Sequence, residues 1–299
     1  MAARFWRIVL AARLLAAGAV GVCAAAFLAA PGAALVAGAA AWMGMSVTLV
    51  AVSLVVARRG ARSDGSRAAI VMVLRILCLE AMQFELMLFR MAAEPVLAWL
   101  DRVAGRPSAP PAQVILVHGI ACNRAIWRPL LAALRAAGIE RVDAVNLEPP
   151  FADIDALAQA LLEQIEGLRA SGRPVVIVAH SMGGLVARAA ARIANPGVIG
   201  RIITLGTPHH GTEIACRFGW PSTRQMCRGS PWLLELNGLQ EGRLGVPLTS
   251  LYSLDDNLIA PATSAAIRGA RLIELRGLGH LSLLSAPAVL EGIVAELRN

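Results

Sequence analysis

Two long runs without a charged residue near the N-terminus constrain the fold of this chain more than any other feature. The first run covers residues 14–30 and the second covers residues 33–57, with only Pro31 and Gly32 between them. Apolar stretches of roughly 17 to 25 residues are long enough to cross the hydrocarbon core of a bilayer as helices. The sequence therefore predicts a transmembrane helical hairpin within a membrane anchor of residues 1–65.

Arginines lie on both sides of this predicted hairpin. They are Arg4, Arg7 and Arg13 before it, and Arg58, Arg59 and Arg62 after it. Because cytoplasmic flanks of membrane spans are enriched in basic residues, we expect both ends of the hairpin to face the cytoplasm. This makes the chain a multi-pass protein of a bacterial-type inner membrane. A cleaved signal peptide is the alternative for residues 1–30, but a second apolar run follows at once.

The charge of the chain is concentrated in the same region. All 28 basic residues are arginine, and 11 of them lie in residues 1–111 together with 5 acidic residues. The remaining 17 arginines are nearly balanced by 15 acidic residues. A nucleic-acid-binding protein would carry a basic surface on its globular part, so we expect no nucleic-acid partner.

Residues 66–104 have the apolar spacing of a helix, but Arg75, Glu80, Glu85 and Arg90 interrupt it. Four charges make a third membrane span unfavourable. We expect an amphipathic connecting helix that seats the next domain on the bilayer and carries no chemistry. Three prolines within residues 105–111 then predict a linker.

From residue 112 onward the pattern changes to six short apolar runs that are typical of strands. They cover residues 114–118, 142–147, 175–179, 201–205, 246–252 and 271–275. Helical patterns lie between several of them and at the end, at residues 125–137, 154–170, 184–194 and 286–298. Such alternation predicts an α/β domain over residues 112–299 with a mostly parallel sheet of about six strands. The stretch of about 207–245 is too long for a plain connection and predicts a lid insertion.

The strongest chemical signal is the run Val-Val-Ile-Val-Ala-His-Ser-Met-Gly-Gly that ends at Gly184. A strand that passes through a tight turn into a helix can hold the hydroxyl of Ser181 above the sheet edge as a nucleophile. Small residues at 179 and 183 allow the backbones to pass close to this turn. The backbone N–H of Met182, directly after the nucleophile, is then a candidate donor to an oxyanion.

A serine nucleophile needs a base and an orienting carboxylate. His280 follows the last predicted strand in the run Gly-Leu-Gly-His, and the adjacent Asp255 and Asp256 follow the strand before it. The order serine, acid, histidine is one of the known orders of catalytic triads. The residues themselves leave Asp255 and Asp256 open as the acid.

Together with the run Thr-Leu-Gly-Thr-Pro-His-His-Gly-Thr at residues 204–212, these motifs resemble the α/β-hydrolase superfamily, and within it bacterial triacylglycerol lipases and esterases. The resemblance covers residues 112–299, where Ala179 replaces the usual first glycine of the turn. It implies a compact α/β-hydrolase in which the acid lies three residues before an aliphatic residue, and this selects Asp256 with Ile259.

The same resemblance implies the remaining site residues. The His118-Gly119 turn after the first strand implies Ile120 as the second oxyanion donor through its backbone N–H. Residues 121–127, which end at Trp127, are expected to form a wall of the acyl pocket. His209 and His210 are expected to line the entrance of the site. The predicted substrate-binding residues are therefore His118, Gly119, Trp127, His209 and His210.

The sequence thus predicts a membrane-anchored serine hydrolase, a lipase or carboxylesterase, that cleaves acyl esters through a covalent acyl-enzyme. Its predicted partners are an acyl ester or lipid substrate and the membrane, and neither a metal nor another cofactor is expected. An acyltransferase, thioesterase or amidase on the same fold is the alternative within enzymes. A non-catalytic membrane interaction protein is the alternative outside them. Cys216 and Cys227 could pair across a short loop in an oxidising compartment, whereas in a reducing cytoplasm they are expected to be free thiols.

Overall fold

The computed structural model describes residues 1–28, 30–58, 67–103, 113–169, 172–240 and 245–298. The predicted linker at 105–111 and the arginines Arg59 and Arg62 lie outside these described residues.

The N-terminal region forms a helical hairpin. Helix α1 covers Ala2–Leu28 and helix α2 covers Pro31–Ala57. A Cβ atom at Gly21 would lie 2.5 Å from the carbonyl oxygen of Ala34, and one at Gly38 would lie 3.2 Å from that of Ala17. Small residues therefore let the two backbones approach closely, as in packed membrane helices.

Both helices are long and apolar enough to cross a membrane, judged by length and composition. Their large apolar side chains are also left in contact with the surroundings rather than packed inside the protein. Exposed examples are Leu14, Leu15, Val22, Phe27 and Leu28 on α1, and Leu35 and Val36 on α2. An apolar surface of this extent is unfavourable in water and favourable in lipid, so the hairpin is suited to membrane anchoring.

Two further helices follow, α3 at Arg67–Ala92 and α4 at Glu94–Val103. A buried polar cluster joins α3 to the hairpin: Arg13 donates hydrogen bonds of 2.8 Å to both Glu85 and Ser46. Trp42 donates to the other carboxylate oxygen of Glu85 at 3.0 Å. Arg13 is therefore a paired charge between three helices, whereas the sequence analysis treats it as a flanking charge.

The predicted sheet is confirmed, with six strands that are all parallel. They are β1 at Val114–Val117, β2 at Val142–Val145, β3 at Val175–His180, β4 at Ile199–Leu205, β5 at Leu248–Ser253 and β6 at Arg271–Leu275. Their order across the sheet is β2-β1-β3-β4-β5-β6. The carboxyl ends of β3, β4, β5 and β6 therefore meet at one edge.

The helices of this domain are α5 at Arg128–Ala136, α6 at Ile154–Leu168, α7 at Met182–Ile193, α8 at Pro221–Met226, α9 at Pro231–Gln240 and α10 at Pro287–Arg298. Short 3₁₀ turns cover Arg124–Trp127, Ala215–Arg217, Ala262–Ala265 and Ser282–Leu284.

Successive side chains of a strand point to opposite faces of the sheet, and two apolar clusters follow from this alternation. In β1, Ile115 and Val117 belong to the cluster that contains α6 and α7. Val114 and Leu116 belong to the other cluster, with α5 and α10. Met87, Leu88 and Met91 of α3 also lie in this second cluster, so α3 packs onto the sheet domain as well as onto the hairpin.

Candidate active site

Ser181 occupies a strained turn between β3 and α7. Its backbone has φ 55° and ψ −128°, a left-handed φ that non-glycine residues rarely adopt. The backbone N–H of Ser181 donates to the carbonyl of Leu205 at 2.9 Å, and the Thr207 hydroxyl donates to the Ser181 carbonyl at 2.9 Å. Hydrogen bonds to the neighbouring strand and loop thus hold the predicted nucleophile in this conformation.

The turn leaves no room for larger residues beside it. A Cβ atom at Gly183 would lie 2.5 Å from the His118 carbonyl oxygen, and one at Gly119 would lie 2.9 Å from Cβ of Ser181. Ala179 is fully buried. The close approach of backbones at 179 and 183 that the sequence analysis expects is therefore present.

Asp256 and His280 form a buried hydrogen-bonded pair. Nδ1 of His280 lies 2.8 Å from Oδ2 of Asp256. The other oxygen of Asp256 accepts hydrogen bonds from the backbone N–H groups of Leu258 and Ile259, at 2.8 and 2.9 Å. The carboxylate is thus held from one side by the loop and from the other by the imidazole.

Asp255, the alternative acid, points elsewhere. It accepts a hydrogen bond of 2.8 Å from the backbone N–H of Gly277 and lies 3.4 Å from the guanidinium of Arg58. Asp255 therefore supports the loop that precedes His280 and joins it to the end of α2.

Burial and two carboxylates set the charge state of His280. Burial alone would lower the pKa of its imidazole, but the charge and hydrogen bond of Asp256 and the charge of Glu80 outweigh burial and raise this pKa. The imidazole of His180 lies against His280, with ring centroids 4.6 Å apart. Burial holds the pKa of His180 well below its usual value, so this neighbour adds no positive charge near neutral pH.

Glu80 of α3 is a residue of this region that sequence reasoning missed. Its carboxylate accepts hydrogen bonds from the backbone N–H groups of Leu281 and Ser282, at 2.9 and 2.8 Å, and from the Ser282 hydroxyl. Burial raises the pKa of Glu80, although these hydrogen bonds oppose the rise. The only available sequence signal was an acid within an apolar helical pattern, which the sequence analysis assigned no chemistry.

Met182 and Ile120 are the two residues predicted to donate to an oxyanion through their backbone N–H groups. Met182 is the first residue of α7, where backbone N–H groups have no partner within the helix. Ile120 lines the same cavity as Ser181 and His280. Both residues therefore adjoin the predicted nucleophile.

His118 shapes the turn beside Ile120. Its Nε2 accepts a hydrogen bond of 2.9 Å from the backbone N–H of Leu147, so Nδ1 carries the proton that is donated to the Gly119 carbonyl at 2.8 Å. Burial lowers the pKa of this imidazole to about 4. Both ring nitrogens are thus used by the fold, and His118 is not among the cavity-lining residues, whereas Gly119 is.

Three other predicted substrate-binding residues are also absent from the cavity lining. Trp127 is fully buried in the apolar cluster around α5, while its neighbours Ala121 and Cys122 do line the cavity. His209 is buried between the Thr204 hydroxyl, 3.1 Å away, and the Arg188 guanidinium, 3.4 Å away. His210 is exposed and lies 3.4 Å from the side-chain nitrogen of Asn237. The structure gives these side chains packing and hydrogen-bonding roles.

The cavity at Ser181 has a volume of about 410 Å³ and is mostly apolar. Part of its wall comes from the region of the predicted lid, including Ile214, Phe218, Trp220 and Met226. Trp232 does not contribute, because its indole donates to Asp155 at 2.7 Å on α6.

A disulfide joins Cys216 to Cys227 and closes this wall segment into a loop. The free thiols expected for a cytoplasmic domain are therefore not found, and the two cysteines pair as the sequence allows for an oxidising compartment. The physical reason is proximity: the chain turns back through α8, and the two Cα atoms lie 4.6 Å apart. The crosslink limits the conformations open to Phe218, Trp220 and Met226, which lie within the loop.

The N-terminal helices supply another part of the wall. Trp6 of α1, Val52 and Val56 of α2, and Phe84 and Met87 of α3 all line the cavity. The sequence predicts that residues 1–111 act only as an anchor and a connection, and the structure corrects this prediction. No sequence signal indicated which face of these apolar helices meets the site.

Within the described part of the chain, no group of three or more His, Cys, Asp or Glu side chains is placed to hold a metal ion.

Comparisons with known proteins agree with this architecture. The model of the alpha/beta hydrolase family matches residues 114–249. A triacylglycerol lipase from Burkholderia plantarii is 33% identical over 135 residues, which are 42% of this chain and 36% of that protein. The chain thus spans well under half of this relative's length.

Solved structures show the same fold at low identity. Lipase B from Aspergillus fumigatus superposes with a TM-score of 0.57 at 21% identity and covers 63% of this chain and 52% of that one. Phospholipase PlaB from Legionella pneumophila gives a TM-score of 0.54 at 13% identity, over 64% of this chain and 60% of that one. Lipase BlEst2 from Bacillus licheniformis, in its mature form, gives 0.50 at 20% identity, over 64% and 92%.

Proposed function

We propose that this chain, whose C-terminal domain has the α/β-hydrolase fold and resembles lipases, is a membrane-anchored serine hydrolase that cleaves acyl esters. One observation carries the proposal: a serine in a strained turn and the histidine of a buried Asp256–His280 pair line the same apolar cavity at the carboxyl edge of the sheet. Apolar walls with a few polar groups suit an acyl chain whose ester must be held at a reactive centre.

In the proposed mechanism Oγ of Ser181 attacks the ester carbonyl carbon, and His280 takes the hydroxyl proton. Asp256 orients the imidazole and stabilises its protonated form. The backbone N–H groups of Met182 and Ile120 donate to the oxyanion. His280 then gives the proton to the departing alcohol, which leaves an acyl-enzyme. Water, activated by the same histidine, releases the free acid and restores Ser181.

The test of this function is labelling by a fluorophosphonate followed by hydrolysis of p-nitrophenyl esters. We expect the purified full-length protein to be labelled once, and Ser181→Ala to lose both labelling and hydrolysis. Removing the nucleophile of such a triad costs up to about 10⁶ in turnover in a well-studied case. Activity of Ser181→Ala above a tenth of the wild-type rate would remove Ser181 from the mechanism.

A hydrolase and an acyltransferase share every step up to the acyl-enzyme. Product analysis with an added alcohol separates them, because transfer yields a new ester and hydrolysis yields the free acid. We expect the free acid as the main product.

We further propose that the hydrolase domain lies on the oxidising face of the membrane, opposite to the side expected from the arginines. The Cys216–Cys227 disulfide supports this placement, because disulfides do not persist in a reducing cytoplasm. The charge rule is a statistical bias, which a hairpin can oppose. In addition, Arg13 does not flank the hairpin but is buried against Glu85.

A further inference from the structure

One face of α2 forms a wall of the active-site cavity. Leu49, Val52, Ser53 and Val56 all line it, together with Val50. The spacing 49, 52, 53 and 56 follows one stripe of an α-helix. Helix α2 therefore lies along the cavity for about two turns, rather than touching it at one end.

The mouth of the cavity can be located from residues that both line it and are exposed. On α2 these are Leu49 and Val52, exposed to 52% and 56%. On the disulfide-closed loop they are Arg217, Phe218 and Trp220, of which Phe218 and Trp220 are exposed to 46% and 44%. All of these five except Arg217 are large and apolar. Such a rim would be unfavourable in water, and it is favourable where α2 and the loop meet hydrocarbon.

Helix α2 is also fixed to the loops that carry the acid and the base. Asn257, next to Asp256, donates to the Ser53 hydroxyl at 2.7 Å and accepts from the backbone N–H of His280 at 2.9 Å. At the end of the helix Arg58 pairs with Asp255 at 3.4 Å. These contacts hold the lining face of α2 in one position relative to Ser181.

We propose that the substrate is an ester lipid of the surrounding bilayer, whose acyl chain enters the cavity sideways, between α2 and the loop at Phe218 and Trp220. This inference rests on the proposed function and adds the substrate class and its route. The acyl chain of the substrate would pass from the lipid into the cavity along Val52 without crossing water. Its apolar surface therefore stays covered throughout. Helix α2 is then a substrate-binding element as well as a membrane span.

The test compares two exposed valines of α2. Val52 lines the cavity, whereas Val55, exposed to 62%, lies outside the cavity lining. The full-length protein is reconstituted in vesicles of a diether phospholipid, which contains no ester, and kcat/KM is measured with p-nitrophenyl palmitate and p-nitrophenyl butyrate. We expect Val52→Trp to lower the palmitate-to-butyrate ratio by about tenfold or more, the scale of steric discrimination in apolar pockets. Val55→Trp should leave the ratio within about twofold of wild type.

Fluorophosphonate labelling of each variant shows that its site is folded. If Val52→Trp is not labelled, Val52→Asn and Val55→Asn replace the pair, because asparagine adds a polar group to the rim without added bulk. The same selective loss of the palmitate reaction at position 52 is expected. Equal palmitate-to-butyrate ratios in the variants at positions 52 and 55, in an enzyme that still cleaves the butyrate ester, would overturn the lateral route. The proposed hydrolase function would then still hold. A wild-type protein that neither reacts with the probe nor cleaves either ester would instead overturn the hydrolase function and, with it, this route.

Discussion

At the scale of single residues, the two adjacent aspartates show how one position in sequence changes the chemistry of a carboxylate. Asp256 reaches Nδ1 of His280, while Asp255 reaches the backbone of Gly277 and the guanidinium of Arg58. Neighbouring residues of a loop point in different directions, so only one of the two can face the imidazole. The resemblance to α/β-hydrolases selects the same residue, Asp256, because it lies three residues before the aliphatic Ile259.

We predict that Asp256→Asn lowers kcat by roughly 10⁴, the loss seen when a triad histidine is given the wrong tautomer. Asp255→Asn is the matched control, with the same chemical change one residue away. Asp255→Asn should lose far less of kcat, because the partners of Asp255 support a loop and do not reach the imidazole of His280. The measurement is ester hydrolysis with both variants at equal fluorophosphonate-reactive concentration. Equal and small losses in both variants would mean that the acid lies elsewhere.

Glu80 offers a second prediction, because its negative charge helps to raise the pKa of His280. The imidazole acts as a base only when neutral, so the rate rises as pH increases through this pKa. Removing the negative charge disfavours the imidazolium and lowers the pKa. Glu80→Gln should therefore move the acid limb of the kcat/KM profile to lower pH.

Glu85→Gln is the control for this experiment, because Glu85 is also a buried acid of α3 but pairs with Arg13. Its acid limb should stay at the wild-type position. An unchanged limb in Glu80→Gln would show that Glu80 only supports the fold of the His280 loop.

At the scale of secondary-structure elements, the hairpin depends on close contact between α1 and α2. A Cβ atom at Gly21 would lie 2.5 Å from a carbonyl oxygen of α2, whereas one at Gly18 would meet nothing within 4 Å. The two glycines lie on the same helix, and only one of them faces the partner helix.

Gly21→Ala should therefore destabilise the protein by about 1–3 kcal/mol, the usual cost of overpacking. Gly18→Ala should be neutral or should stabilise the helix by roughly 0.5–1 kcal/mol, because alanine loses less backbone entropy. Thermal unfolding in detergent, followed through loss of fluorophosphonate labelling, measures both. Indistinguishable midpoints for the two variants would show that the helices do not pack as described.

At the scale of the whole molecule, the N-terminal helices and the C-terminal domain together enclose the candidate site. Trp6, α2 and α3 supply part of the cavity wall, and Ser53, Arg58 and Glu80 hold the loops that carry the acid and the base. Under the proposed function, the orientation of the hairpin in the membrane also sets the side on which the reaction takes place.

We expect alkaline phosphatase fused after Asn299 to be active, and green fluorescent protein at the same place to be dark, because the C-terminal domain should lie on the oxidising face. Cys216 and Cys227 should react with a maleimide only after reduction. A bright fluorescent fusion with freely reactive thiols would restore the cytoplasmic orientation that the arginines indicate.

The sequence by itself determined the elements and the order of the chemistry. All six strands were predicted at nearly their observed positions. The four central ones, β1, β3, β4 and β5, were readable because a parallel strand buried on both faces is a largely apolar run bounded by turn residues. The sharp turn at Ser181 was also readable, since it needs small residues at fixed local offsets.

Only the tertiary structure decided which distant residues meet. Glu80 lies 201 residues from Leu281 along the chain, and the hydrogen bond between them has no local pattern. The same holds for Ser53 and Asn257, and for the stripe of α2 along the cavity. A helix that is apolar on every side shows its length in the sequence, but packing alone selects the side that faces lipid and the side that faces the substrate.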